Sequence, residues 1–251
     1  MKLYATDYDG TVSHGGVTPG LLEALAAWRR AGNLFGIVTG RPVASMLSEL
    51  HRVRLPVDFL IADNGSTVCS GDGKVLMSTW VDGRDAVTAL NVSAGFGCCV
   101  SRLSNTDGYL MMAAPPEDIA ALPEGEGVAL GMTVMRHVSE ICVVFDSSDT
   151  RVAAREAVEK ATEGRLHGLS SGPYVNDFVA SDTDKAEGIR RYIRIAGIRP
   201  GKIYTTGDAL NDLAMINDPE FEGYCVENGM EEVKAVSKVI KSPLELLRSA
   251  L

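Results

Sequence analysis

The chain has 251 residues, 45% of them hydrophobic and 23% charged, as in a globular protein of one large domain or two modest ones. Its net charge of −9 argues against nucleic acid or an anionic membrane as partner, since both select basic surfaces. No apolar run approaches the ~20 residues of a membrane span. Asp7 and Asp9 interrupt any signal-peptide pattern, so a cytoplasmic protein is expected.

Residues 1–6 read as a short strand that runs into Asp7-Tyr8-Asp9-Gly10-Thr11. Two carboxylates at a strand end repel, and a metal ion, a proton or both must hold them. The pair is either a catalytic centre with a divalent cation or an acidic turn. Thr18 and Pro19 open a helix as N-cap and first helical residue, with Leu21, Leu22, Leu25 and Trp28 at helical spacing and Gly32 as its stop. Residues 34–38 form a continuous apolar run, the mark of a strand buried on both faces of a parallel sheet. The run ends at Thr39-Gly40-Arg41-Pro42. A helix follows with Val43, Met46, Leu47 and Leu50 on one stripe, then a third strand at 59–62 ending in Asp63-Asn64-Gly65. Strand and helix alternate as in a doubly wound sheet.

A hairpin is expected from segments 66–69 and 74–77 around Ser70-Gly71-Asp72-Gly73. From about 81 to 179 the texture is α+β. Strands are expected at 97–103, 109–113, 128–136, 141–145 and 165–169. Breaks fall at Pro115-Pro116 and at 122–127. A helix is expected over 149–162 with Val152, Ala153 and Val158 inward. The α/β pattern then returns. A helix is expected over 184–196, a strand over 202–206, helices from Leu210 and Met230, a strand near 224–226, and a last helix after Pro243. The expected fold class is therefore α/β: a doubly wound, Rossmann-like parallel-sheet core (1–80 and 180–251) with an inserted α+β domain (81–179).

Four features line up in order: Asp7/Asp9, Thr39-Gly40-Arg41, Lys185, and Gly207-Asp208-Ala209-Leu210-Asn211-Asp212. Three sit where an apolar strand stops, and carboxyl ends of parallel strands share one edge. These motifs resemble the haloacid dehalogenase superfamily of phosphohydrolases. The Thr-Gly-Arg-Pro form, Asn64-Gly65 and the position of the insert resemble its Cof-like sugar-phosphatase branch, with the insert as a cap. In that branch glycine usually follows the lysine, whereas here Ala186 does.

The resemblance implies Asp7 as nucleophile, forming an aspartyl-phosphate. It implies Asp9 as acid and then base. It implies Mg²⁺ held by Asp7, Asp208 and the backbone carbonyl of Asp9. Thr39 and Gly40 would bind the phosphoryl oxygens, with Asn211 orienting the site. Lys185 would offset charge, and Asp212 would act through a metal-bound water or through Lys185. The implied substrate is a small phosphorylated metabolite, a sugar phosphate or a phosphorylated acid such as phosphoglycolate. A phosphomutase of the same fold is the alternative enzyme, and a catalytically silent binding protein the alternative of another class. The sequence leaves the oligomeric state open.

The cap contains Arg102, Tyr109, Arg136, Tyr174 and Asn176 as possible substrate contacts, against surface or packing roles. Cys98 and Cys99 read as adjacent strand residues facing opposite sides, and Met111-Met112 as cap core. Arg190, Arg191 and Arg194 read as a solvated helix face, and Trp28 and Trp80 as packing residues. The five cysteines include no CxxC pair, and the four histidines show no metal-ligand spacing, so buried thiols are expected.

Overall fold

The structure is a computed structural model describing residues 1–106, 108–112 and 137–251. The expected strand at 128–136, the breaks at 115–127 and Arg136 lie outside the described residues. So do the side chains of Tyr109, Met111 and Met112. Contacts divide the chain into two units, Met1–Met77 with Asp184–Leu251, and Ser78–Thr183.

The first unit is built on an eight-stranded sheet. Its strands are β1 (Lys2–Thr6), β2 (Leu34–Val38), β3 (Phe59–Ala62), β4 (Thr67–Ser70), β5 (Val75–Ser78), β11 (Lys202–Gly207), β12 (Glu222–Val226) and β13 (Lys238–Ile240). They lie in the order β13-β12-β11-β1-β2-β3-β4-β5. The pairs from β13 to β3 are parallel, and β4 runs antiparallel to β3. Alternate residues of β1 feed two apolar layers. Tyr4 packs with Trp28, Phe35 and Met46, while Leu3 and Ala5 pack with Phe59, Ile61 and Ile189. Burial on both faces is why these strands read as unbroken apolar runs.

Helices α1 (Pro19–Arg30), α2 (Val43–Val53), α5 (Lys185–Ile195) and α8 (Pro243–Ala250) cover the sheet, with short helices α6 (Leu213–Ile216) and α7 (Glu231–Lys234). The Thr18 hydroxyl accepts from the Leu21 amide, and Gly32 takes a positive φ just past the helix end, as its stop role requires. The chain leaves β1 toward β2 on one side and returns at β11 on the other. The strand order therefore reverses between β1 and β11, where open α/β sheets form their ligand crevice.

The second unit is a five-stranded antiparallel sheet in the order β7-β6-β8-β10-β9. Its strands are β6 (Val100–Asn105), β7 (Gly108–Met112), β8 (Glu140–Val144), β9 (Leu166–Gly172) and β10 (Val175–Ala180). Helices α3 (Gly83–Gly95) and α4 (Ser148–Ala161) share a core with Leu103, Ile141, Val143 and Phe178.

Several expectations are corrected here. The strand expected at 97–103 starts at Val100, because α3 runs to Gly95 and positive-φ Gly97 turns the chain. Cys98 and Cys99 therefore precede the strand, the first buried and the second exposed. Helix α4 turns Arg151, Ala154 and Val158 inward, while Ala153 is exposed and Val152 half-buried. Arg191 is buried rather than solvated; Arg190 pairs with Asp218 and Glu220, and Arg194 with Glu187. Trp28 is fully buried, but Trp80 is exposed beside His137.

Candidate active site

Register brings the first pair of motifs together. Thr6 lies opposite Thr206 in the parallel β1–β11 ladder, so Asp7 and Asp208 leave adjacent strands at one edge. The Asp7 amide continues that ladder by donating to the Thr206 carbonyl at 2.8 Å. Below it, the hydroxyls of Tyr4, Thr206 and Thr6 form a buried chain, and Thr6 Oγ1 donates to the Asp7 carbonyl at 2.9 Å.

After Asp7 the chain makes one wide turn. Gly10 has φ +79°, and a Cβ there would lie 2.3 Å from Asp208 Oδ2. Only glycine allows both that backbone and that approach. Thr11 Oγ1 donates to Asp208 Oδ1 at 2.8 Å, and Asn228 Nδ2 donates to the Gly10 carbonyl at 2.6 Å.

Lys185 enters from the first turn of α5, whose N-cap Asp184 accepts from the Glu187 amide at 2.7 Å. Gly188 lets the helix lie close to the sheet, since a Cβ there would fall 2.7 Å from Ile61 Cγ2. Ala186 is buried in the same layer. The Lys185 side chain is only 1% exposed, and its Nζ donates to Asp7 Oδ1 at 2.8 Å and Asp212 Oδ1 at 2.6 Å. The second oxygen of Asp212 accepts from the amides of Asp208 and Ala209, at 2.9 and 3.0 Å. Asp212 thus fixes both Lys185 and the Asp208 turn.

The electrostatics follow from this burial. Desolvation pushes the Asp7 pKa well above the ordinary carboxylate range, against the pull of Lys185. Desolvation also raises Asp208, helped by the charge of Asp212. Burial alone would depress Lys185; Asp212 and then Asp7 reverse this and hold it above the ordinary lysine value.

Three carboxylates surround one ammonium here. Asp7, Asp208 and Asp212 each bring an oxygen within 4.8 Å of the others, and Asp7 Oδ2 is buried with no hydrogen-bond partner. An all-oxygen donor set with uncompensated negative charge fits a hard divalent cation. Asp7 and Asp208 are the natural ligands, because both Asp212 oxygens are already bonded.

Thr39 and Gly40 follow β2 at the same edge. Thr39 is buried, its amide donates to the Ile61 carbonyl at 2.8 Å, and its hydroxyl accepts from the Arg41 amide at 3.1 Å. A Cβ on Gly40 would lie 2.9 Å from Asn64 Nδ2. Asn211 Nδ2 donates to Asn64 Oδ1 at 3.0 Å, so Asn64 bridges these motifs. Asp63, Asn64 and Gly65 all have positive φ, a strained turn after β3. A Cβ on Gly65 would meet the Asp184 carbonyl at 2.0 Å.

Asp9 is turned away from the buried cluster and half-exposed. Arg41 grips its carboxylate with two nitrogens, Nε at 2.6 Å. The Arg41 guanidinium lies 5.4 Å from the centre of the Tyr8 ring, and Tyr8 donates to Glu49 Oε1 at 2.6 Å. Arg52 holds Glu49 with two bonds of 2.7 Å. Those bonds, Arg52 first and then Tyr8, lower the Glu49 pKa to about 2.

The structure therefore gathers Asp7, Asp208, Asp212 and Lys185 in direct contact, with Thr39, Gly40 and Asn211 joined through Asn64. The motifs assign no role to Thr11, Tyr8 or Arg41, and Glu49 and Asn228 stand outside them. Their partners lie up to 218 positions away, beyond any local pattern. In the second unit, Arg102 pairs with buried Glu140, Asn176 is buried against Arg151, and Tyr174 is exposed.

The profile of the haloacid dehalogenase-like hydrolases matches residues 4–243. The chain is 24% identical over 273 residues to 5-amino-6-(5-phospho-D-ribitylamino)uracil phosphatase YwtE of Bacillus subtilis, covering 96% of this chain and 92% of that one. A haloacid dehalogenase-like hydrolase from B. subtilis superposes with a TM-score of 0.79 at 17% identity, covering 100% of both chains. The HAD subclass IIB sugar phosphatase BT4131 superposes with a TM-score of 0.76 at 19% identity, covering 99% of this chain and 97% of that one. With its profile match spanning nearly the whole chain, this protein belongs to the haloacid dehalogenase-like hydrolases.

Proposed function

We propose that the chain is a Mg²⁺-dependent phosphohydrolase that removes phosphate from a small phosphorylated metabolite through an aspartyl-phosphate on Asp7. The observation that carries this reading is the Asp7 carboxylate. One oxygen is held by Lys185, and the other is buried and unbonded within the acidic cluster.

Asp7 and Asp208 would hold the metal, with the Asp9 carbonyl as the further protein oxygen that the family implies. When bound, Mg²⁺ supplies the positive charge that reduces repulsion between the Asp7 carboxylate and a phosphate dianion. The Thr39 hydroxyl and Gly40 amide bind the phosphoryl oxygens, and Asn64 keeps Asn211 and Gly40 in register. Lys185 fixes the Asp7 carboxylate and offsets charge as phosphorus is attacked. A carboxylate oxygen of Asp7 bonds to phosphorus as the ester P–O bond breaks. The leaving alkoxide takes the proton of the Asp9 carboxylic acid. A water molecule then gives its proton back to Asp9 and attacks phosphorus, and the bond to Asp7 breaks to release phosphate. Arg41, which lies over the Tyr8 ring and holds the Asp9 carboxylate in this structure, releases it when Asp9 carries the proton.

A sugar phosphate or phosphorylated small acid is the proposed substrate class, supported by the names of the relatives and by the net charge of −9, which disfavours nucleic acid. We read residues 81–179 as the cap that chooses among such esters. Among the described residues no helix is long and apolar enough to cross a membrane. The five free cysteines support a cytoplasmic setting.

A screen of phosphorylated metabolites with and without Mg²⁺ tests this reading. Hydrolysis of p-nitrophenyl phosphate should require Mg²⁺ and vanish in Asp7→Asn. Undiminished turnover without metal would sink the mechanism.

A further inference from the structure

Helix α4 buries a charge where an apolar residue was expected. Arg151 takes the inward position beside Ala154 and Val158 and lies over the strands beneath. Its Nη1 is bonded to the Ser170 hydroxyl on β9 and lies 3.5 Å from Asn176 Oδ1 on β10. Asn176 is itself fixed, because its amide donates to the Arg151 carbonyl at 2.8 Å. Arg155 follows one turn later on the same face. Gly168 on β9 makes room for it, since a Cβ there would lie 2.4 Å from Arg155 Cγ.

Neither guanidinium has a carboxylate partner among the described residues. Several acids of the same unit are engaged elsewhere. Asp85 and Glu163 hold Arg165, while Glu159 accepts from the Gly168 amide and faces His167. The Nε of Arg151 and the Nε of Arg155 are both buried without a hydrogen-bond partner. Burial, and then the charge of Arg155, depress the Arg151 pKa, as expected of a cation with no counterion. Like charges one helical turn apart repel, and an uncompensated buried charge is strongly unfavourable. A chain of net charge −9 does not lack acids to place here, yet none is placed.

We propose that Arg151, Arg155 and the Ser170 hydroxyl form a binding site for a small tetrahedral oxyanion, either free phosphate or the phosphoryl group of a metabolite. The site lies wholly within the second unit. Two planar guanidinium groups offer several donors to one dianion, the geometry arginine uses for phosphate. The Ser170 oxygen already accepts from Arg151, which leaves its hydroxyl hydrogen for the ligand. Asn176 holds the Arg151 backbone and guanidinium and serves as a positioning residue.

The test is phosphate binding by the full chain with a chelator present, at constant ionic strength. Without metal the Asp7 cluster repels anions, and Thr39→Ala serves as the control for that site. Inorganic phosphate should raise the melting temperature of the wild type and of Thr39→Ala. It should shift the Nε–H NMR signals of Arg151 and Arg155 in a saturable way. Arg155→Met should weaken phosphate binding at least about tenfold. Without phosphate this variant should melt no lower than the wild type, since repulsion is relieved. Methylphosphonate distinguishes the sources: binding like phosphate supports a phosphorylated metabolite, and exclusion supports free phosphate. Equal stabilisation of Arg155→Met and wild type would overturn the site. So would arginine Nε–H signals that do not move at saturating phosphate, a measurement that needs no variant to fold.

Discussion

The two sheets handle charge in opposite ways. In the first unit's sheet, Asp7 and Asp208 emerge at strand ends and Lys185 in the first turn of a helix. There they meet partners: Lys185 lies between Asp7 and Asp212. In the antiparallel sheet, charge sits within the strands and under the covering helix. Arg102 reaches buried Glu140 across two strands, whereas Arg151 meets only a hydroxyl and an amide. The first arrangement leaves excess negative charge that a cation answers. Beneath α4 the second leaves excess positive charge that an anion answers. Buried charge that lacks its counterpart within the chain thus points to a ligand in each unit, of opposite sign.

The largest way to break this comparison is Lys185→Met. It leaves Asp7 and Asp212 buried without their cation. Activity toward p-nitrophenyl phosphate should fall on the order of 10³-fold, and denaturant unfolding should show a loss of about 3–5 kcal/mol. Near-normal stability and turnover would mean that the charge balance at the parallel edge is unimportant.

A smaller effect is expected from Gly10→Ala. The new Cβ would press on Asp208 Oδ2 and force an unfavourable φ. The cost should be about 1–3 kcal/mol, and half-maximal activity should require more Mg²⁺. A loss of stability with unchanged Mg²⁺ dependence would separate the turn from the metal site.

The smallest effect lies at the exposed margin of the same edge. Glu49 has its folded pKa lowered to about 2 from the ordinary 4.5 by Arg52 and Tyr8. The unfolded chain therefore binds the proton more readily. The contribution of Glu49 to stability is full above pH 4.5 and is lost as pH falls toward about 2. Wild type should exceed Glu49→Gln in stability at neutral pH, and the gap should close across that window. A gap that persists unchanged below it would show that packing, not the carboxylate charge, is responsible.

The same contrast explains what the sequence revealed. Residues 34–38 and 59–62 are apolar throughout because both faces are covered, so their strands and the polar groups after them were plain. Asp7, Thr39 and Asp208 follow such strands directly, and Lys185 opens a helix with a capping Asp184. The antiparallel unit gave weaker signals. Strand β6 buries Ser101 and Ser104 along with Leu103, which blurs its alternation. Helix α3 contains no long apolar stripe and was not read. In α4 the inward arginine hid the buried face, which holds Arg151 and Ala154 in place of Val152 and Ala153. Strand β13 is only three residues long and largely exposed, too short for any period to appear. Within the site, the hidden part was the cross-chain wiring. Arg41 meets Asp9 from 32 positions away and Asn211 meets Asn64 from 147, distances at which sequence spacing says nothing.

Attack of Asp7 on phosphorus leaves an aspartyl-phosphate that can be trapped. Enzyme turning over p-nitrophenyl phosphate with Mg²⁺ is stopped in acid, digested, and its peptides weighed by mass spectrometry. The account predicts one phosphoryl group on the peptide carrying Asp7, and neither label nor turnover in Asp7→Asn. A phosphoryl group on a different residue, or full turnover by Asp7→Asn, would contradict it.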